Sequence, residues 1–92
     1  MITNTIWKYQ IDSSDCKIEM PEGAKILSLQ VQGGVPCIWV RVNPDKPIEI
    51  RRFITYVTGS SDDIDPYSRY IGTYQIQWFV GHIFEYPVIE KL

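Results

Sequence analysis

Histidine occurs once in this chain of 92 residues, at His82, and cysteine twice, at Cys16 and Cys37. A structural zinc site takes about four thiolate or imidazole ligands, and three scattered residues without Cys-x-x-Cys spacing do not provide one. No metal and no cofactor are expected. The two cysteines read as buried free thiols of a reducing compartment rather than as a bridge. Cations are in the minority, nine Lys and Arg against eleven Asp and Glu, for a formal net charge of −2. That balance argues against polymeric nucleic acid and against anionic membranes, both of which favour a positive field. No apolar run approaches the roughly 20 residues that a bilayer-spanning helix needs. The opening Met-Ile-Thr-Asn-Thr lacks the basic start and long apolar stretch of a signal peptide. Motifs of catalysis are missing as well: no Gly-x-Ser-x-Gly elbow, no Cys-His motif, and no Gly-rich phosphate loop of either common type. The expectation is a non-enzyme.

Apolar substance, by contrast, is ample. Hydrophobic residues make up 45% of the chain and aromatic residues 13%, which excludes disorder. The length fits one domain over residues 1–92, with a single modest core that needs no metal or disulfide staple.

The period is that of strands throughout. Leu27, Leu29 and Val31 alternate with Ser28, Gln30 and Gln32. Gly33-Gly34 then offers a two-residue turn that tolerates positive φ. On the return, Ile38, Val40 and Val42 alternate with Cys37, Trp39 and Arg41. A turn at 33–34 sets Leu29 opposite Ile38, Leu27 opposite Val40, Ser28 opposite Trp39 and Gln30 opposite Cys37. Both apolar faces then coincide, which fixes the register. Further strands are expected at Thr5–Ile11, Cys16–Met20, Ile48–Thr58, Tyr70–Trp78 and Val80–Tyr86. Only Gly81 punctuates the last pair. Asp65–Arg69 suits one helical turn and nothing longer. The fold class is all-β, a small antiparallel sandwich or barrel of six to seven short strands with no substantial helix.

Three groups of residues are candidates for ligand binding. Trp39 and Arg41 share the less apolar face of the hairpin, and Arg51 or Arg52 joins them if the next strand pairs alongside. An aromatic plane with guanidinium groups stacks a base and clamps a phosphate. Thr58-Gly59 and Gly72-Thr73 each place a hydroxyl beside a small residue at a strand end, where backbone N–H groups approach an anion closely. His82 alternates with Val80, Phe84 and Tyr86, the setting of a histidine held by a hydrogen bond. Asp62, Asp63 and Asp65 read as a solvated acidic loop, since the alternating ligands, central Gly and terminal Glu of a calcium loop are missing.

Several stretches together carry a resemblance. They are Lys8-Tyr9, the run from Met20-Pro21-Glu22-Gly23 to Ala24-Lys25-Ile26-Leu27-Ser28, Gln30-Val31-Gln32, Gly34-Val35-Pro36-Cys37-Ile38-Trp39 and Val42-Asn43-Pro44-Asp45. Thr58-Gly59, Tyr70-Ile71-Gly72-Thr73-Tyr74-Gln75 and His82-Ile83-Phe84-Glu85 complete the set. With these the chain resembles, from Trp7 to Glu85, a family of small domains of unknown function encoded mainly by tailed phages and prophages. It departs from that family in having Ser60, not His, after the Thr-Gly pair, and Gln77-Trp78-Phe79 where a Gly-Gly is usual.

The resemblance implies a phage product acting in the host bacterial cytoplasm. The function expected is sequestration, without turnover, of a small anionic nucleotide-like signal of host defence, such as a cyclic nucleotide or a cyclic ADP-ribose isomer. Aromatic residues beyond what one core needs imply a homo-oligomer. The rival expectations are a protein-interaction module that inhibits a host defence protein, and a minor virion or assembly component.

Overall fold

The computed structural model describes residues 3–92, and its strands follow the alternation of the sequence. They are β1 (Thr5–Gln10), β2 (Asp15–Pro21), β3 (Lys25–Gln32), β4 (Val35–Val42), β5 (Ile48–Val57), β6 (Arg69–Ile76), β7 (Phe79–Glu85) and β8 (Glu90–Lys91). No helix occurs among the described residues. The expected six to seven strands become eight because β8, two residues long, is too short to show a period. All pairings are antiparallel, in a three-stranded sheet ordered β1-β4-β3 and a five-stranded sheet ordered β2-β5-β7-β6, with β8 on β5. No ladder joins the two sheets among the described residues, so the fold is a sandwich rather than a closed barrel.

The core lies between the sheets. Ile38, Val40 and Val42 of β4 face Cys16 and Met20 of β2, Phe53 of β5 and Ile83 of β7, all buried. Cys16 and Cys37 are both free and buried, on strands of different sheets. Burying residues of this size contributes about 1.5–3 kcal/mol each for Phe53, Ile38 and Ile83.

The β3–β4 hairpin turns at Gly33 and Gly34, both at positive φ, and keeps the expected register from Ser28 to Gln32. Below Ser28 it differs. Val40 pairs with Ile26, not Leu27, because a bulge between Ile26 and Ser28 pushes Leu27 out of the ladder, where it is 47% exposed. A bulge places two residues opposite one, and alternation alone does not reveal it.

The β6–β7 turn also differs. It falls at Gln77-Trp78, with Gln77 at φ 54°, while Gly81 lies inside β7. A Cβ on Gly81 would come within 2.6 Å of the Tyr74 ring, so this glycine is a packing requirement and not turn punctuation.

Candidate functional site

Two separate places emerge where one had been expected. Strand β5 pairs with β2 and β7, not with β4, so Arg51 and Arg52 lie in the other sheet from Trp39 and Arg41. Arg51 is 5% exposed. Its Nε donates to Glu85 Oε2 at 2.6 Å and its Nη2 to Glu85 Oε1 at 2.8 Å, while Nη1 donates to the carbonyl of Ala24. Three of its five N–H groups are thus committed inside the protein, on the other sheet from Trp39. Arg52 donates to both carboxylate oxygens of Asp15, at 2.8 and 2.6 Å, and stacks over the Tyr86 ring at 4.8 Å. Both arginines are structural partners, and neither belongs to a phosphate clamp with Trp39.

The second set does assemble. Tyr56 of β5 and Thr73 of β6 stand directly across from His82 on β7, and Phe84 pairs with Tyr70 one step along. Residues opposite each other in a ladder share a face, as do residues two apart along a strand. Tyr56, His82, Thr73, Phe84 and Tyr70 therefore line the outer face of the large sheet. Tyr70 and Thr73 are three apart and would normally point to opposite sides. The bulge between Tyr70 and Gly72 adds the residue that brings both outward.

A hydrogen-bonded chain runs through this set. Tyr70 Oη and Thr73 Oγ1 are 2.5 Å apart, Thr73 Oγ1 and His82 Nδ1 2.9 Å, and His82 Nε2 and Thr58 Oγ1 2.7 Å. With a neutral imidazole the four groups carry four protons for three bonds, so one proton points out of the chain, at Thr58 or at Tyr70. The tautomer decides which end. With an imidazolium both ring nitrogens donate inward, and both end hydroxyls become outward donors. The chain is thus a wall whose polarity adapts to what it meets.

Loop residues 58–64 close the site. Gly59, at φ 82°, lets the chain reverse at 57–60, where Ser60 N–H donates to the carbonyl of Val57 at 3.0 Å. The result is a cleft of about 380 Å³ lined by Tyr56, Thr58, Gly59, Tyr70, His82 and Phe84, with Asp62 and Ile64 from the loop. Its volume is at the lower end of the range for small-molecule sites. Tyr56 and Tyr70 meet the Phe84 ring edge-on at centroid distances of 5.6 and 5.4 Å, which holds the aromatic wall rigid.

Of the nine candidate residues, Thr58, Gly59 and His82 line the cleft, and Thr73 supports it through His82. Gly72 does not. It faces inward, where a Cβ would sit 2.9 Å from Leu29 Cδ2, so its smallness serves the close approach of β3 and β6. Trp39 and Arg41 lie on the outer face of the small sheet, away from the cleft. Sequence reasoning missed Tyr56, Tyr70 and Phe84 as an aromatic wall. The shared alternation of Phe84 with His82 was the available signal for one of them.

Among the described residues no group of His, Cys, Asp and Glu is placed to hold a metal. The Thr58–His82 contact has the spacing of a hydroxyl and its base, but Nδ1 faces a hydroxyl where a carboxylate would stabilise the imidazolium. The arrangement suits recognition: aromatic surface on one side, adaptable donors and acceptors on the other.

A family model described as Domain of unknown function (DUF7352) matches residues 2–91. No curated protein and no solved structure matches the chain.

Proposed function

The chain belongs to the DUF7352 family of domains of unknown function, and we propose that it is a non-enzymatic binding protein whose His82 cleft holds a small anionic nucleotide-like molecule. The observation that carries this reading is the chain Tyr70–Thr73–His82–Thr58, which offers hydroxyls at two points of an aromatic cleft. A nucleobase-sized ring packs against Tyr56, Tyr70 and Phe84. Its anionic substituent takes whichever of the Thr58 and Tyr70 hydroxyls the His82 tautomer leaves donating outward. Asp62 at the rim disfavours a ligand with charge on that side and gives the site direction.

The ligand class we propose is a cyclic nucleotide or cyclic ADP-ribose isomer, sequestered by a phage-encoded protein in the host cytoplasm to blunt antiviral signalling. The motif resemblance supports that setting. A cleft of this size holds one ring system, so a two-base ligand projects its second unit outward. A second copy of the chain would cover it. The exposed Val57, Ile64 and Tyr70 at the cleft support such self-association. Mass spectrometry of the supernatant after heating purified protein from infected cells tests the proposal. Release of an intact nucleotide is expected. Cleaved product, or no small molecule, would count against sequestration.

A protein-interaction role is the second reading, and a specific observation favours it. Trp78 at the β6–β7 turn is 87% exposed and Tyr67 is 84% exposed, side chains of the aromatic type enriched at protein interfaces. Retention of a host protein, with loss of it on Trp78→Ser, would support that role instead.

A further inference from the structure

We propose that the outer face of the three-stranded sheet is a second site, separate from the cleft, which binds a short single-stranded oligonucleotide. Strands β1, β3 and β4 contain Lys8, Lys25 and Arg41 and not one Asp or Glu. The remainder of the chain is left with six cations and eleven acids. A net charge of −2 therefore conceals a sheet of one sign.

The register gathers these cations around an aromatic ring. Lys8 stands directly opposite Trp39 on the neighbouring strand, and Arg41 opposite Lys25. Arg41 follows Trp39 by two residues along β4, about 6.7 Å at strand rise. Opposite residues and residues two apart share a face, so all four point the same way. It is the outer face, since Ile38, Val40 and Val42 fill the inner one.

The cations are also uncommitted. Lys17, Arg51, Arg52, Arg69 and Lys91 all pair with carboxylates, whereas Lys8, Lys25 and Arg41 form no ion pair among the described residues. Lys8 Nζ donates instead to Gln32 Oε1 at 2.6 Å, reaching from β1 to β3 across the middle strand. Three cations without a carboxylate partner about a half-buried indole, on a sheet with amide side chains and no carboxylate of its own, match a phosphodiester chain with an unstacked base. A duplex keeps its bases stacked and gives Trp39 nothing to hold.

Fluorescence polarisation of a labelled oligothymidylate of about eight nucleotides tests the assignment. Binding at low salt is expected, with log K falling against log[salt] at a slope of about −2, from three phosphate contacts at about 0.7 each. Lys8→Ala, Lys25→Ala and Arg41→Ala should each reduce the slope by about 0.7. Trp39→Leu should weaken binding about tenfold or more, from the stacking it removes. Lys46→Ala, an exposed cation outside the sheet, should change nothing. No binding at low salt would overturn the proposal. So would equal losses from Lys46→Ala and Arg41→Ala, or equal affinity for a blunt duplex. Concentration-dependent dimerisation abolished by Arg41→Ala, without oligonucleotide binding, would assign the face to a second copy of the chain and overturn it too.

Discussion

Arg51 and Glu85 form a buried two-point ion pair across the five-stranded sheet, with N–O distances of 2.6 and 2.8 Å. The third Arg51 nitrogen reaches the Ala24 carbonyl, so one side chain ties β5, β7 and the turn between β2 and β3 together. Arg69 adds a weaker contact to Glu85 at 3.9 Å.

Breaking this pair on one side strands a buried charge. Arg51→Ala should lower stability by about 3–5 kcal/mol, read as a shift in the urea midpoint. The double variant Arg51→Met with Glu85→Leu should recover most of that loss, because two apolar groups leave no charge unpaired. A double variant as unstable as Arg51→Ala would contradict the pairing.

Two glycines should respond unequally to an added methyl. At Gly81 the new Cβ meets the Tyr74 ring at 2.6–2.8 Å, and at Gly72 it meets the flexible end of Leu29 at 2.9 Å. Gly81→Ala should cost about 1–3 kcal/mol as overpacking and Gly72→Ala less, since Leu29 can change rotamer. Thermal unfolding of both variants checks the order.

Gln77 is the one non-glycine at positive φ among the described residues. Gln77→Gly should leave the fold unchanged and raise stability by up to about 1 kcal/mol, as relief of the left-handed conformation outweighs added chain entropy. The Gln75 Nε2 bond at 2.9 Å goes to the main-chain carbonyl of residue 77 and survives the substitution, so a lower melting temperature would contradict this reading.

Stability should fall at alkaline pH. Burial pushes the Cys16 thiol above its ordinary 9.0 and the Tyr9 and Tyr74 hydroxyls above their ordinary 10.0. In the unfolded chain these groups lose protons at the ordinary values, while the folded chain holds them longer. Their contribution is therefore complete below about pH 9 and is lost as pH rises through the higher folded values. At the acid end Arg52, by its hydrogen bonds, holds Asp15 below its ordinary 3.8. That contribution is present above the ordinary value and disappears as pH falls through the lower one. Urea midpoints across pH 3 to 11 should show both flanks, and Tyr9→Phe should soften the alkaline one.

Much of the fold was legible in the sequence, and the reasons are local. Gly33-Gly34 announced the β3–β4 turn, and the coincidence of Leu29 with Ile38 fixed its register. What escaped was non-local. Which strand lies beside β4 is decided by packing over the whole sandwich, so the separation of Arg51 and Arg52 from Trp39 could not be read. The bulges at Leu27 and Ile71 shift side chains by one position without any change in alternation. The second of them creates the Tyr70–Thr73 contact on which the cleft wall depends. Gly72 and Gly81 carried a true signal, but of close packing rather than of a ligand or a turn.

The most direct test of the cleft is calorimetric titration of the wild-type protein and of Thr58→Val with cyclic dinucleotides and cyclic ADP-ribose isomers. Thr58→Val keeps the side-chain shape and removes one end of the hydrogen-bonded chain. At least one ligand should bind the wild type, and Thr58→Val should weaken it about tenfold, the loss of one hydrogen bond of about 1.4 kcal/mol, with unfolding temperature little changed. Binding of none of these ligands, or equal affinity in both proteins, would contradict a site built on Thr58 and His82.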